Sequence, residues 1–145
     1  MRIIRAPKSP LEWEAYYALR YEILRKPLDQ PKGSEKNEGD KKAKHFALFY
    51  QDQIVAVARL DILDKHTNQA RFVGVTTKLQ GKGFGKAIME ALESETRGEK
   101  KTVLLLHARE NAVEFYKSIG YQVEEKSYLL FNQIQHYKMT KAVSF

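Results

Sequence analysis

A glycine-rich segment at residues 80–86 has the composition of a phosphate-binding turn. It consists of Gln80, Gly81, Lys82, Gly83, Phe84, Gly85 and Lys86. Alternating glycines let the backbone take positive φ angles and approach a ligand closely. Amides at a turn that opens a helix converge at the positive end of the helix dipole, which suits a pyrophosphate, and the two lysines add positive charge. The alternative is a tight turn without a ligand, but a strand pattern at 70–75 and a helix pattern at 86–97 favour phosphate binding.

The spacing of the glycines excludes two common phosphate loops. A Walker loop needs Gly, four residues and then Gly-Lys-Ser/Thr, which the segment lacks. The dinucleotide-binding fingerprint needs a third glycine at the position of Lys86, and it normally follows the first strand of a βαβ unit. The observed pattern is instead Gln-x-x-Gly-x-Gly, late in a short chain.

A second segment, residues 107–121, places an aromatic pair on a short predicted helix. His107 stands at the end of a predicted strand, and Asn111 begins the helix, where its side chain can cap the first turn. Phe115 and Tyr116 follow within the helix, and a glycine stops it.

The two segments together resemble the two signatures of the GCN5-related N-acetyltransferases (GNAT). Residues 19–24, 45–50 and 136–141 are similar to the ElaA-like branch of small bacterial acetyltransferases, so the resemblance covers nearly the whole chain. It implies an α/β fold with a mixed, mostly antiparallel central sheet, splayed fourth and fifth strands and flanking helices. It also implies that acetyl-CoA is the cosubstrate, and that the acetyl group passes directly to a primary amine of a small molecule or peptide in a ternary complex.

The resemblance assigns coenzyme contacts to the fourth strand and to the second segment, besides the glycine-rich loop. In the family the pantetheine arm pairs with backbone groups of the fourth strand, which here fall at Val73 and Val75. An amide near Val75 would donate to the thioester oxygen, and Gly74 would permit close approach. Tyr116 matches the tyrosine that points at the coenzyme sulfur, where a phenol can protonate a leaving thiolate. Asn111 matches an asparagine near the pantetheine. The alternatives are an ordinary buried strand and a core aromatic residue.

The general base stays open at the level of sequence. Part of the family uses a glutamate early in the fourth strand, and the matching position is Gln69, which cannot take a proton. His107, His136 and His45 lie near predicted strand ends, and imidazole has a suitable pKa. Each histidine can also be structural, and a chain of water molecules to solvent would serve without a dedicated base. We take His107 and Tyr116 as the catalytic candidates.

Hydrophobic periodicity and turn residues predict the elements that carry these motifs. Ser9, Pro10 and Glu12 predict a helix start with a capping box, and Pro27 ends that helix. Residues 30–44 lack periodicity and predict a long loop, which is either a binding segment or a disordered surface loop. The predicted strands are 2–6, 45–50, 54–61, 69–75, 102–106, 121–125 and 134–140, and the later helices are 86–97 and 111–118.

Composition predicts a single globular domain over residues 1–145. The chain has 145 residues, 43% hydrophobic content and no stretch near the ~20 apolar residues of a membrane span. It lacks the N-terminal apolar run of a signal peptide, which predicts a cytoplasmic protein without a membrane partner. With no cysteine, disulfides and an acyl-cysteine intermediate are excluded, and the four dispersed histidines argue against a metal site.

Neither the net charge of +7 nor the remaining polar and aromatic residues identify a binding partner or an amine acceptor. The lysines are dispersed without interleaved aromatic residues, so a nucleic-acid partner is the weakest hypothesis. Glu35, Glu38 and Asp40 either attract an ammonium or are solvated loop charges, and the second interpretation is favoured. Trp13, Tyr21 and Phe46 either line an acceptor pocket or fill the core.

The alternative to an enzyme is a non-catalytic acyl-CoA-binding sensor. The main support for this alternative is Gln69, which stands where part of the family has a catalytic glutamate. A homodimer is compatible with either function.

Overall fold

The computed structural model describes residues 1–144, which contain seven strands and three α-helices. The strands form one mixed sheet in the order β1-β2-β3-β4-β5-β7-β6. This architecture confirms the predicted fold class. The elements are β1 (Arg2–Arg5), α1 (Pro10–Leu24), β2 (Lys44–Tyr50), β3 (Gln53–Ile62), β4 (Thr67–Val75), α2 (Phe84–Gly98), β5 (Val103–Arg109), α3 (Val113–Ser118), β6 (Gln122–Leu130) and β7 (Ile134–Ala142).

Packing divides the chain into two compact units. The first unit is formed by Met1–Asp61 and Arg71–Leu92, and the second by Ile62–Ala70 and residues 93–144. In the first unit β1 pairs with β2, and β2 with β3, both antiparallel. In the second unit β4 pairs with β5 in parallel over Thr67–Ala70, while β5 and β6 each pair with β7 antiparallel.

Helix α1 begins where the sequence predicts. Ser9 is the N-cap, and its Oγ accepts a hydrogen bond from the Glu12 amide at 3.1 Å. The Glu12 carboxylate accepts from the amide of Lys8 at 2.7 Å, one residue before the cap, and from the Arg5 guanidinium at 2.8 and 3.0 Å. The capping arrangement therefore ties β1 to the start of α1 as well as closing the first helical turn.

These hydrogen bonds give an acid-dependent contribution to stability. The guanidinium of Arg5 first, and then the Lys8 amide, lower the pKa of Glu12 to about 2. Because the folded pKa lies below the unfolded value of ~4.3, the contribution is complete above that value and is lost as pH falls toward 2. Glu12→Gln should therefore lower the unfolding temperature at pH 7, and the difference from the wild type should close between pH 4 and 2. Glu14→Gln, at an exposed position of the same helix, is the control, and a difference that persists unchanged at pH 2 would contradict the assignment.

The buried face of helix α1 combines apolar side chains with one charged side chain. Tyr16, Arg20 and Leu24 are its buried residues, spaced four apart on one side of the helix. Tyr16 packs with Ala47 and Val57, and Trp13 lies against this cluster. Arg20 is fully buried, so its charge must be compensated by other residues of the same unit.

The second unit has a buried polar cluster of its own. The Tyr121 hydroxyl donates to a carboxylate oxygen of Glu93 at 2.8 Å, and Lys141 Nζ donates to the other at 3.0 Å. Lys141 also donates to the Ile119 carbonyl at 2.9 Å. These bonds join the C-terminal half of α2 to β7 and to the turn after α3.

Most boundaries differ from the prediction by a few residues, and two of the differences bear on the candidate site. β5 runs to Arg109, so His107 lies inside the strand, opposite Lys138, rather than at its end. A 3-10 turn over Glu110–Ala112 precedes α3, and the N-cap position of α3 is Ala112, without a side-chain capping bond. The prediction that Asn111 caps this helix is therefore wrong, because the 3-10 turn moves the helix start beyond it.

Candidate active site

The glycine-rich loop connects the end of β4, through a 3-10 turn at Thr77–Leu79, to the start of α2. Gly81 and Gly83 have φ angles of +79° and +90°, which residues with a side chain rarely adopt. A Cβ built on either glycine would have nothing within 4 Å, so the backbone of the loop borders open space. Gly85 lies in the first turn of α2 and is not among the positive-φ residues. Only two of the three glycines are thus required by backbone conformation.

Two side chains of the loop stabilise its position, and two others are exposed to solvent. The Gln80 side-chain amide donates to the Val75 carbonyl at 3.1 Å and so fixes the loop to the end of β4. The Phe84 ring is buried against the Tyr50 ring, with centroids 5.1 Å apart. These contacts give both residues a structural role through their side chains. Lys82 and Lys86 are exposed and carry the positive charge of the loop.

Strand β4 contains an irregularity that the sequence does not indicate. Phe72 has φ +53°, which is unusual for a bulky residue and interrupts the alternation of side chains between Arg71 and Val73. Aromatic residues normally favour extended strands, so no residue type gives a signal here. Gly74 is buried, and a Cβ on it would lie 3.1 Å from Cγ2 of Ile23. The close approach that Gly74 permits is therefore that of helix α1.

Tyr116 is the buried residue of α3. Its ring meets the rings of Phe115 and Tyr121 edge-to-face, with centroids 5.0 and 5.7 Å apart. Burial raises its pKa above the ordinary value of ~10, so the phenol keeps its proton throughout the neutral range. Asn111 is exposed in the 3-10 turn before this helix.

The three candidate histidines have different surroundings. Both ring nitrogens of His45 have partners, the Tyr16 hydroxyl at 2.9 Å and the Asp40 carbonyl at 2.8 Å, and burial lowers its pKa. This ring is structural. His107 and His136 both contact Tyr128: the centroid of the Tyr128 ring lies 5.3 Å from that of His107, and the ring stacks on His136 at 4.5 Å. Both stay candidates for the base.

The acidic residues of the 30–44 loop are not all solvated. Glu35 is 7% exposed, and the Asp40 side chain 10%. Asp40 Oδ1 accepts hydrogen bonds from Arg20 at 2.8 Å and from Arg59 at 3.1 Å, while its other oxygen accepts from the Asn37 amide at 2.9 Å. The favoured interpretation as solvated charges is therefore wrong for Glu35 and Asp40. Arg20 holds the loop to helix α1 through Asp40 and the Glu35 carbonyl.

A pocket of about 470 Å³ opens in the first unit beside this loop. Trp13 and Tyr17 stack at 5.8 Å, and His45 meets the Trp13 ring edge-on at 5.1 Å. The pocket thus combines aromatic walls with one carboxylate and one ammonium. Its lining residues are Trp13, Tyr17, Asp40, Lys41, Ala43 and His45.

Residues 1–144 contain neither a metal-ligand cluster nor a membrane-spanning helix. In the described part of the chain, no three His, Cys, Asp or Glu side chains converge as metal ligands would. No helix within residues 1–144 combines the length and the apolar character needed to cross a membrane.

Fold and loop together define an acyltransferase-type architecture, and comparison with known proteins identifies the family. The acetyltransferase (GNAT) domain family matches residues 20–143, so the chain belongs to the GNAT acetyltransferases. This confirms the resemblance seen in the sequence. The uncharacterized N-acetyltransferase YjcF of Bacillus subtilis is 28% identical over 141 residues, which cover 97% of this chain and 99% of YjcF. Two other Bacillus subtilis relatives, 29% and 28% identical, are matched over only 65% and 66% of their own lengths.

Solved structures share the fold at low sequence identity. Escherichia coli ElaA superposes with a TM-score of 0.80 at 21% identity, covering 97% of this chain and 98% of ElaA. A GNAT family acetyltransferase from Elizabethkingia anophelis, solved with acetyl-CoA bound, gives a TM-score of 0.75 at 11% identity, covering 98% and 97% of the two chains. At these identities the likeness supports the fold.

Proposed function

We propose that this GNAT acetyltransferase moves the acetyl group of acetyl-CoA directly to a primary amine of a small molecule or peptide. The observation that carries the proposal is the loop between β4 and α2, where Gly81 and Gly83 take positive φ angles and face open space. A loop with this backbone at the start of a 15-residue helix is suited to a pyrophosphate.

The residues of the loop fit coenzyme A. Their amides would hold the pyrophosphate, and the exposed side chains of Lys82 and Lys86 would add positive charge. The backbone of Val73 and Val75 would hold the pantetheine arm, with Asn111 as a further contact. When bound, acetyl-CoA supplies an activated acetyl group as a thioester.

The transfer itself forms a nitrogen–carbon bond and breaks a carbon–sulfur bond. The Val75 amide would stabilise negative charge on the carbonyl oxygen. Tyr116 would donate its proton to the leaving sulfur, and burial, which raises the pKa of this phenol, keeps the proton in place at neutral pH. The amine gives up a proton in turn, and His107 or His136 would accept it, directly or through water.

Calorimetric titration with acetyl-CoA, using desulfo-CoA and NAD as controls, tests the coenzyme site. Micromolar binding followed by acetylation of at least one amine in a broad panel is the expected result. Binding without turnover on any amine would favour the alternative, an acyl-CoA sensor, which the missing carboxylate at Gln69 supports. Absence of binding by folded protein would contradict both.

The pocket beside the 30–44 loop is our proposed acceptor site. Its aromatic walls can hold an ammonium by cation–π contact, whereas the Asp40 carboxylate in the same wall is already paired with Arg20 and Arg59. Trp13→Ala should raise KM for the amine by about tenfold, the equivalent of one desolvated cation–π contact, and leave acetyl-CoA affinity unchanged. Leu11→Ala, at an exposed position of the same helix, is the control. Unchanged KM in folded Trp13→Ala protein would exclude this pocket.

A further inference from the structure

The ring of Phe72 is surrounded by an arginine cluster, which we define as Arg20, Arg25, Arg59 and Arg71. Their guanidinium carbons lie 4.3, 5.4, 5.1 and 5.3 Å from the ring centroid, in that order. Four cations near one ring repel one another, and the ring face compensates only part of that repulsion. Such an arrangement must therefore be fixed by other groups.

Two carboxylates pair with three of the four arginines, while Arg25 donates to the backbone carbonyls of Ser34 and Leu24. Asp40 accepts hydrogen bonds from Arg20 at 2.8 Å and from Arg59 at 3.1 Å. Asp61 accepts two bonds from Arg59, at 2.7 and 2.6 Å, and lies 4.0 Å from Arg71. The side chains of Arg20 and Arg59 are 0% and 1% exposed, so these charge-assisted bonds are shielded from solvent.

The 30–44 loop leaves room for this arrangement. Besides Asp40, the loop contributes the Asn37 side-chain oxygen, which accepts from Arg59 at 2.6 Å. A Cβ on Gly39 would lie 2.6 Å from a terminal nitrogen of Arg59, so a glycine is needed where the guanidinium passes the loop. The loop that borders the proposed acceptor pocket thus also holds the groups that contact Phe72.

Phe72 occupies the strained position of β4. A bulky residue at φ +53° is strained, and this conformation persists only where the surroundings hold it. Its conformation sets the direction of the peptide group that leads into Val73, the first of the two residues proposed to hold the pantetheine arm. The ring anchored by arginines is the feature that can hold this backbone.

We propose that Arg20, Arg59 and Asp40 are positioning residues, which hold the Phe72 ring and thereby align the backbone at Val73 for acetyl transfer. Asp40 binds the arginines that hold the ring, so within the first unit the position of the 30–44 loop is coupled to that of residues 71–75 of β4. This inference rests on the proposed function, since its effect is on the alignment of the thioester.

The test is a double-mutant cycle on Asp40→Asn and Phe72→Leu. Each single variant should lower kcat by about tenfold or more, because misplacement on the scale of 1 Å is that costly, while the acetyl-CoA dissociation constant stays within about threefold. Both substitutions act through the same arginines. The kcat of the double variant should therefore lie within about threefold of the kcat of the slower single variant. Gly39→Ala, which displaces Arg59 without removing a charge, should reproduce the loss of kcat.

Two further variants separate alignment from folding. Glycine at position 72 adopts the positive φ without strain but has no ring, so kcat of Phe72→Gly should also fall. Phe72→Tyr keeps the ring, and its kcat should stay near that of the wild type. Glu12→Gln is the matched control, because the Arg5 it releases also lies over a phenylalanine, Phe49, at 4.2 Å, and its kcat should be unchanged.

The outcomes decide the two proposals separately. Suppose first that the wild type binds acetyl-CoA and acetylates an amine. If the two substitutions then lower kcat multiplicatively, or if folded Phe72→Gly is fully active, the positioning role is wrong and the proposed function stands. If the folded wild type does not bind acetyl-CoA, the proposed function falls and the positioning role falls with it.

Discussion

Replacing Gly83 by aspartate should weaken acetyl-CoA binding by about 100-fold or more, which corresponds to about 2.7 kcal/mol. Gly83 has φ +90°, so a side chain strains the turn and reorients the amides that would hold the pyrophosphate. A carboxylate at this position would also face the phosphates and repel them. Calorimetric titration of the folded variant with acetyl-CoA measures the loss directly.

Two matched variants separate the causes of that loss. Gly83→Asn has nearly the same shape and the same tolerance of positive φ but no charge, so it should bind better than Gly83→Asp. Gly33→Asp places the same residue at another glycine with positive φ, +103°, and nothing within 4 Å. It should keep wild-type affinity. Equal affinity of Gly83→Asp and wild type would show that the loop is only a turn.

Removing the Tyr116 hydroxyl should lower kcat by about 100-fold, the usual effect of losing a positioned proton donor. The acetyl-CoA dissociation constant of Tyr116→Phe should stay within about threefold of wild type, because the ring still fills its buried site. Steady-state kinetics together with calorimetry separates the two quantities. Unchanged turnover in Tyr116→Phe would remove this residue from the mechanism.

The pH profile and a neighbouring tyrosine give independent checks on the same role. Because burial raises the pKa of Tyr116, the donor stays protonated, and kcat should not fall between pH 7 and 9 through its ionisation. Tyr121→Phe removes a hydroxyl that donates to Glu93 at 2.8 Å and should lower stability rather than kcat. A fall in kcat below pH 9 that is absent in Tyr116→Phe would contradict the assigned pKa.

Local rules account for what the sequence predicted. The cap at Ser9, Pro10 at the first helical position and the glycine loop before α2 depend on residues within a few positions of one another, and all three occur as predicted. Apolar runs placed the central strands, since burial selects their period, whereas β6 is largely exposed and extends beyond its predicted range of 121–125. Boundaries such as that of β5 shifted, because pairing with β7 extends the strand through the polar residues His107 and Arg109.

The long loop shows where local rules fail. Glu35 and Asp40 have the composition of solvated loop charges, yet both are largely buried, since Arg20 and Arg59 come to the loop from α1 and β3. A sequence window around residue 40 contains neither arginine. The contact of Gly74 with helix α1 escapes local rules for the same reason, because its close neighbour Ile23 is distant in the sequence.

The sequence by itself determined the family, the mixed α/β fold and the loop at Gly81 and Gly83, because each depends on residue types at short, fixed spacing. Only the tertiary structure decided the positive φ of Phe72, the arginine cluster around its ring and the full hydrogen bonding of His45. These features arise where distant segments meet, and their free energies come from burial and charge pairing that no local pattern records.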